Sequence, residues 1–155
     1  MDKKDLYLMA LTQEIRSQRL YTALSKSFKN PENSAFFREL VQLEEAHEAK
    51  LRQSFGHEFP DAQPEPSAIQ DKDLQNLDLN DPVALLEYAA QRETDAQNHY
   101  LSFAEQVSDP EVKEMLLELA EEEDKHRNLL LAEVQRIQGA LAWFDPSELA
   151  GYMAF

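Results

Sequence analysis

Inward-facing positions recur along the chain at alternating gaps of three and four. Tyr7, Ala10, Glu14, Ser17, Tyr21, Leu24 and Phe28 form the first such run. That spacing keeps every member on one face of an α-helix and predicts the seam of a helix facing a bundle core. Asn30-Pro31-Glu32 breaks the run, and Pro31 suits the first turn of a second helix. One face of that helix carries Phe37, Leu40, Glu44, His47 and Leu51. From Gly56 to about Asn80 the text turns rich in Pro, Asp and Gln and loses helical period over much of its length, which predicts a long connection. Asp81-Pro82 reads as an N-cap and first-turn pair. It opens a third helix with the seam Leu86, Ala89, Glu93, Ala96, Tyr100, Phe103 and Val107. SDPEV at 108–112 starts a fourth, with Leu116, Leu119, Glu123, His126, Leu130 and Ile137 inward and an end expected near Gly139.

The two halves repeat. A shift of 79 positions lays Glu14 on Glu93, Tyr21 on Tyr100, Pro31-Glu32 on Pro110-Glu111, Leu40 on Leu119, Glu44 on Glu123, His47 on His126 and Leu51 on Leu130, without a gap. Each half is therefore a helical hairpin. Two hairpins joined by a crossover at about 56–80 predict an all-α four-helix bundle over 1–139, with an internal pseudo-twofold axis through its core. The remaining 140–155 holds Trp143, Phe144, Tyr152, Met153 and Phe155. That is too much apolar surface for a free end, so a short C-terminal helix opening near Asp145-Pro146 is expected to dock on the bundle or on a second subunit.

Composition agrees and excludes several functions. A chain of 155 residues makes about one domain, and three glycines with few β-branched runs suit an almost wholly helical protein. Without cysteine there is no disulfide, thiolate-bound iron–sulfur centre or cysteine nucleophile. A formal charge of −15 argues against nucleic acid or an anionic membrane surface as partner. No apolar run approaches a membrane span, and the N-terminus is too often interrupted by charge for a signal peptide, so the expected location is the cytoplasm.

The chemistry lies in the seams. Glu44 with His47, and Glu123 with His126, are three residues apart and share a helix face, while Glu14 and Glu93 face them from the other two helices. Four buried carboxylates without partners would each cost several kcal/mol, together more than the roughly 5–15 kcal/mol by which a domain is stable. Two divalent cations would neutralise them. Carboxylate oxygen with imidazole nitrogen suits iron or manganese; zinc is a substitute, although bridged ions with several carboxylates favour a metal that accepts five or six ligands.

These residues resemble the ferritin-like diiron-carboxylate proteins, and within them the rubrerythrin-like group, from about residue 5 to 138. The resemblance rests on Glu14, on LEEAH with Glu44 and His47, on Glu93, and on LAEEEDKH with Glu123 and His126. It implies two iron ions, with Glu44 and Glu123 as bridging ligands, Glu14 and Glu93 as terminal ones, and His47 and His126 as one nitrogen ligand each. Tyr21 and Tyr100 would be their neighbours, with ordinary core packing as the alternative. Two departures stand out. Peroxide-reducing members usually carry an extra glutamate where this chain has Ala96. They also often carry a cysteine-ligated rubredoxin domain, so the reductant here is expected to be a separate electron-donor protein. A homodimer is expected from the resemblance and the apolar tail.

The leading expectation is thus a redox enzyme in which an iron pair gives two electrons to O2 or hydrogen peroxide. A ferroxidase or iron-handling protein is the alternative, and a scaffold with a structural metal site is the second alternative. His57 and His99 lie off the seams and are read as surface or interface residues. The pairs Glu45 with Glu48 and Glu121 with Glu122 are read as solvated helix faces, or as a cluster that concentrates iron.

Overall fold

The computed structural model describes residues 2–28, 31–65 and 80–141, the side chains of 140 and 141 excepted. Among these residues are four long helices: α1 (Lys3–Ser27), α2 (Pro31–Glu58), α3 (Pro82–Gln106) and α4 (Pro110–Leu141). Local chemistry sets most of their ends. Asp2 caps α1, its side chain accepting from the Asp5 amide at 2.9 Å. Asp81 caps α3 ahead of Pro82 and accepts from the Ala84 amide at 3.0 Å. Asp109 takes the Glu111 amide at 2.9 Å where α4 begins. Each bond satisfies one of the amides that a helix start leaves without an intrahelical partner.

α2 runs further than the change in composition at Gly56 suggests. Gly56 and His57 are helical, and the helix stops at Glu58, just before Phe59-Pro60. A proline disfavours the α conformation in the residue before it, whereas a single helical glycine costs only about 1 kcal/mol; buried Phe55 anchors that last turn. α4 passes through Gly139 to Leu141. The docking helix expected after it, and most of the crossover, lie outside the described residues.

Packing is closest within each hairpin, α1 on α2 and α3 on α4, and the hairpins meet along α1/α3 and α2/α4. A Lys3–Glu58 ion pair closes the first hairpin. Arg136 donates to Asn33 Oδ1 at 2.8 Å, tying the end of α4 to the start of α2. Every seam residue expected from the periodicity is buried. The core falls into two apolar clusters. One centres on Tyr7, whose ring meets Phe55 and Phe103 edge-on at 5.7 and 5.2 Å and whose hydroxyl pairs with Ser54 Oγ at 2.6 Å. The other gathers Leu24, Phe28, Phe37, Leu86, Leu130 and Ile137. Between them lies a polar layer. Among the described residues no helix is long and apolar enough to cross a membrane.

Candidate metal centre

Each helix contributes to the polar layer. Glu14 comes from α1, Glu44 and His47 from α2, Glu93 from α3, Glu123 and His126 from α4, and none is more than 4 % exposed. The sequence expectation of six residues meeting at one level is what the structure shows. Their candidate ligand atoms form two groups, Glu14, Glu44, His47 and Glu123, and Glu44, Glu93, Glu123 and His126, with the atoms of each group within 4.8 Å of one another. Glu44 and Glu123 belong to both groups.

Each imidazole reaches across to the other hairpin. His47 Nδ1 lies 2.6 Å from Glu123 Oε1 and 3.5 Å from both Glu14 Oε1 and Glu44 Oε2. His126 Nδ1 is 2.8 Å from Glu44 Oε1 and 3.8 Å from Glu93 Oε2. The rings stand nearly parallel, 5.4 Å apart. The two tyrosines cross over as well: Tyr21 Oη donates to Glu93 and Tyr100 Oη donates to Glu14. Their hydroxyls are thus neighbours of the cluster rather than ordinary core packing.

Burial dominates the acidity of this layer. It pushes Glu14 and Glu123 well above the usual carboxylate range, and nearby carboxylates, Glu44 prominent among them, push the same way. Glu93 is raised for the same reasons. Glu44 goes the other way: burial opposes its charge, but the proximity of Glu14, His126 and His47 holds it well below the usual range. Burial would also discharge the histidines. Contact with Glu123, Glu14 and Glu44 reverses this for His47, which is raised, and contact with Glu44 and Glu93 takes His126 up to about 9. Tyr21 and Tyr100, fully buried beside carboxylates, are held as neutral donors.

The layer is incompletely satisfied by its own hydrogen bonds. Glu14 Oε2, Glu44 Oε2, Glu93 Oε2, both Glu123 oxygens and His47 Nδ1 are buried and make no hydrogen bond, although His47 Nδ1 is close to carboxylate oxygen in distance. Buried polar atoms rarely stay unpaired, and these belong to residues whose candidate ligand atoms lie close together. Hard carboxylate oxygens with neutral imidazole nitrogen are a donor set for iron, manganese or zinc, so the residues fit a pair of divalent ions.

Three residues behave differently from the sequence reading. Glu122 is not merely part of a solvated face: it hydrogen-bonds His47 Nε2. His99 is half-buried between the Tyr100 and Phe103 rings, at 6.1 and 6.3 Å, with Nε2 buried and making no hydrogen bond. Burial lowers its pKa. His57, Glu45 and Glu121 are exposed as expected, whereas Glu48 is half-buried, binding Gln18 at 2.8 Å and Arg52 at 2.7 Å. A cavity of about 260 Å³ opens on the α1/α3 side beside Ser17 and Ala96, each one turn beyond its seam glutamate, with Arg16, Tyr88, Arg92 and Asp95 around it. A larger one, about 580 Å³, lies by Lys50, His57 and Asp109 and contains none of the six.

The family model for Rubrerythrin matches residues 5–76 and 84–155, two stretches separated by the same 79 positions as the internal repeat. No curated protein matches the chain significantly. A hypothetical protein from Pyrococcus furiosus is similar in structure, with a TM-score of 0.72 and 25 % identity over 87 % of this chain and 89 % of that one. A two-domain protein from Anabaena variabilis containing DJ-1/ThiJ/PfpI-like and ferritin-like domains gives 0.69 at 17 % identity, over 94 % of this chain and 40 % of that one, a likeness of fold alone.

Proposed function

The chain belongs to the rubrerythrin family, and we propose that it is a dinuclear metal protein that reduces hydrogen peroxide or O2. The observation that carries this reading is the pair of interlocking candidate ligand groups that share Glu44 and Glu123, with unpaired buried atoms on Glu14, Glu44, His47, Glu93 and Glu123. Glu44 and Glu123, common to both groups, would serve both ions, Glu14 and His47 would hold one, and Glu93 and His126 would hold the other. Two ferrous ions there would supply the two electrons that, with two protons, take peroxide to water; manganese or zinc would substitute without equal redox competence.

The rest is the work of the chain itself. Tyr21 and Tyr100 hold one oxygen of each terminal carboxylate and so fix where its other oxygen points. The apolar clusters on either side exclude bulk water from the layer. Ser17 and Ala96 are small, leaving room for a diatomic or peroxide-sized oxidant on the α1/α3 side. The reading includes a separate electron-donor protein, a cytoplasmic setting and a homodimer.

Ala96 also favours a second reading, in which ferrous iron is itself the substrate and is oxidised and passed on. Stopped-flow mixing of the ferrous-loaded protein with peroxide and, separately, with O2 tells the two apart. Faster oxidation by peroxide, with turnover once a reductant is added, is the expected result. Faster oxidation by O2 with continued turnover of excess iron would replace it with the ferroxidase, and two bound ions inert to both would leave a structural site.

A further inference from the structure

The symmetry between the hairpins is broken beside the histidines. Glu122 of α4 hydrogen-bonds His47 Nε2, and the Lys50 ammonium lies 3.8 Å from the other Glu122 oxygen. The shift of 79 that takes His47 to His126 takes Glu122 to Leu43 and Lys50 to Leu129. Both leucines are solvent-facing, 37 % and 47 % exposed. Neither offers an acceptor that would do for His126 what Glu122 does for His47.

The consequence follows from the tautomers of imidazole. A neutral ring carries one N–H and one lone pair, and whatever accepts the N–H decides which nitrogen is left to bind. A carboxylate on Nε2 leaves the lone pair on Nδ1, the atom already turned toward Glu14, Glu44 and Glu123. It also fixes the plane of the ring and makes it a stronger base, and loss of such a partner typically weakens metal binding about 10- to 100-fold. His126 presents Nδ1 to the other group with a leucine at the equivalent outer position.

From this we infer that Glu122 is a positioning residue that makes the two metal positions unequal, so that the position served by His47 takes up a divalent cation first. The inference rests on the reading of the layer as a dinuclear site. Anaerobic calorimetric titration of the full chain with ferrous iron, at constant pH near neutrality, tests it. The native protein should bind in two resolved steps. Glu122→Leu, which copies the His126 side, should weaken the tighter step about 10- to 100-fold and merge it with the second. Glu122→Gln keeps an acceptor without the charge and should lose less. Leu43→Glu changes an exposed position on the other half and should tighten the weaker step alone, which provides a test independent of how well the Glu122 variants fold. Thermal unfolding of the metal-free variants should stay near native, separating lost positioning from lost structure. Two steps unchanged by Glu122→Leu, or a native titration already in a single two-ion step, would overturn the inference and leave the dinuclear reading standing. Absence of any ferrous binding would overturn both.

Discussion

Along the bundle axis the core changes character twice, from an apolar layer around Tyr7 to the layer of six ionisable groups, and back to an apolar layer around Phe37. The outer layers are close-packed rings and aliphatic chains whose burial stabilises the fold. The middle layer works against it, since carboxylates and imidazoles withdrawn from water cost more than their mutual attraction returns unless every atom is satisfied. In this protein several are not. The difference teaches that the ends of the bundle hold the helices in place while the middle keeps buried polar atoms that the fold itself does not pair.

The contrast is broken most sharply in the middle. Glu44→Ala or Glu123→Ala removes a carboxylate common to both groups, and either should abolish dinuclear loading in an anaerobic ferrous titration. The metal-free protein should fold nonetheless, because the apolar clusters on either side are untouched. At the ends the pattern inverts. Phe103→Ala, at a fully buried ring, should cost about 3–5 kcal/mol in denaturant unfolding and leave the stoichiometry of loading intact.

pH separates the layers as well. His126 is raised above its unfolded value of 6.5 to about 9, so its contribution to the metal-free protein is fully present below 6.5 and is lost as pH rises through about 9. Unfolding midpoints of the metal-free protein should fall across that window, while metal affinity rises because fewer protons must be displaced. Tyr21→Phe and Tyr100→Phe remove a donor from one terminal carboxylate each and should weaken metal binding about 10-fold apiece, at the lower edge of the effect of such partners. The smallest effect is expected at His99, whose pKa is lowered by burial. Its neutral form is the one the fold prefers, so stability should decline as pH drops below the unfolded value of 6.5, and His99→Leu should remove that decline.

Most of this was legible in the sequence because one rule generates it. A helix that faces a core must repeat its inner positions every three or four residues, so Glu14, Glu44, His47, Glu93, Glu123 and His126 declared themselves as polar intrusions on otherwise apolar seams. The repeat then placed them at one level. Glu122 escaped because it sits one residue off the seam, where a glutamate reads as solvated. Its contact depends on how α2 and α4 face each other across the bundle, which periodicity within one helix does not report. For His99 the repeat carries a signal: the shift of 79 lays it on Leu20, itself 3 % exposed, so the position faces inward in both halves. The extent of α2 was misjudged because composition marks Gly56, whereas the physical stop is the restriction that Pro60 places on Phe59.

The central claim is that the middle layer is a two-ion site, and counting the ions tests it most directly. Metal-free protein equilibrated with ferrous iron under anaerobic conditions, freed of unbound metal and analysed for iron per chain, should hold two, with an unfolding midpoint that rises with ferrous concentration. One ion or none per chain, with an unfolding midpoint indifferent to iron, would contradict it.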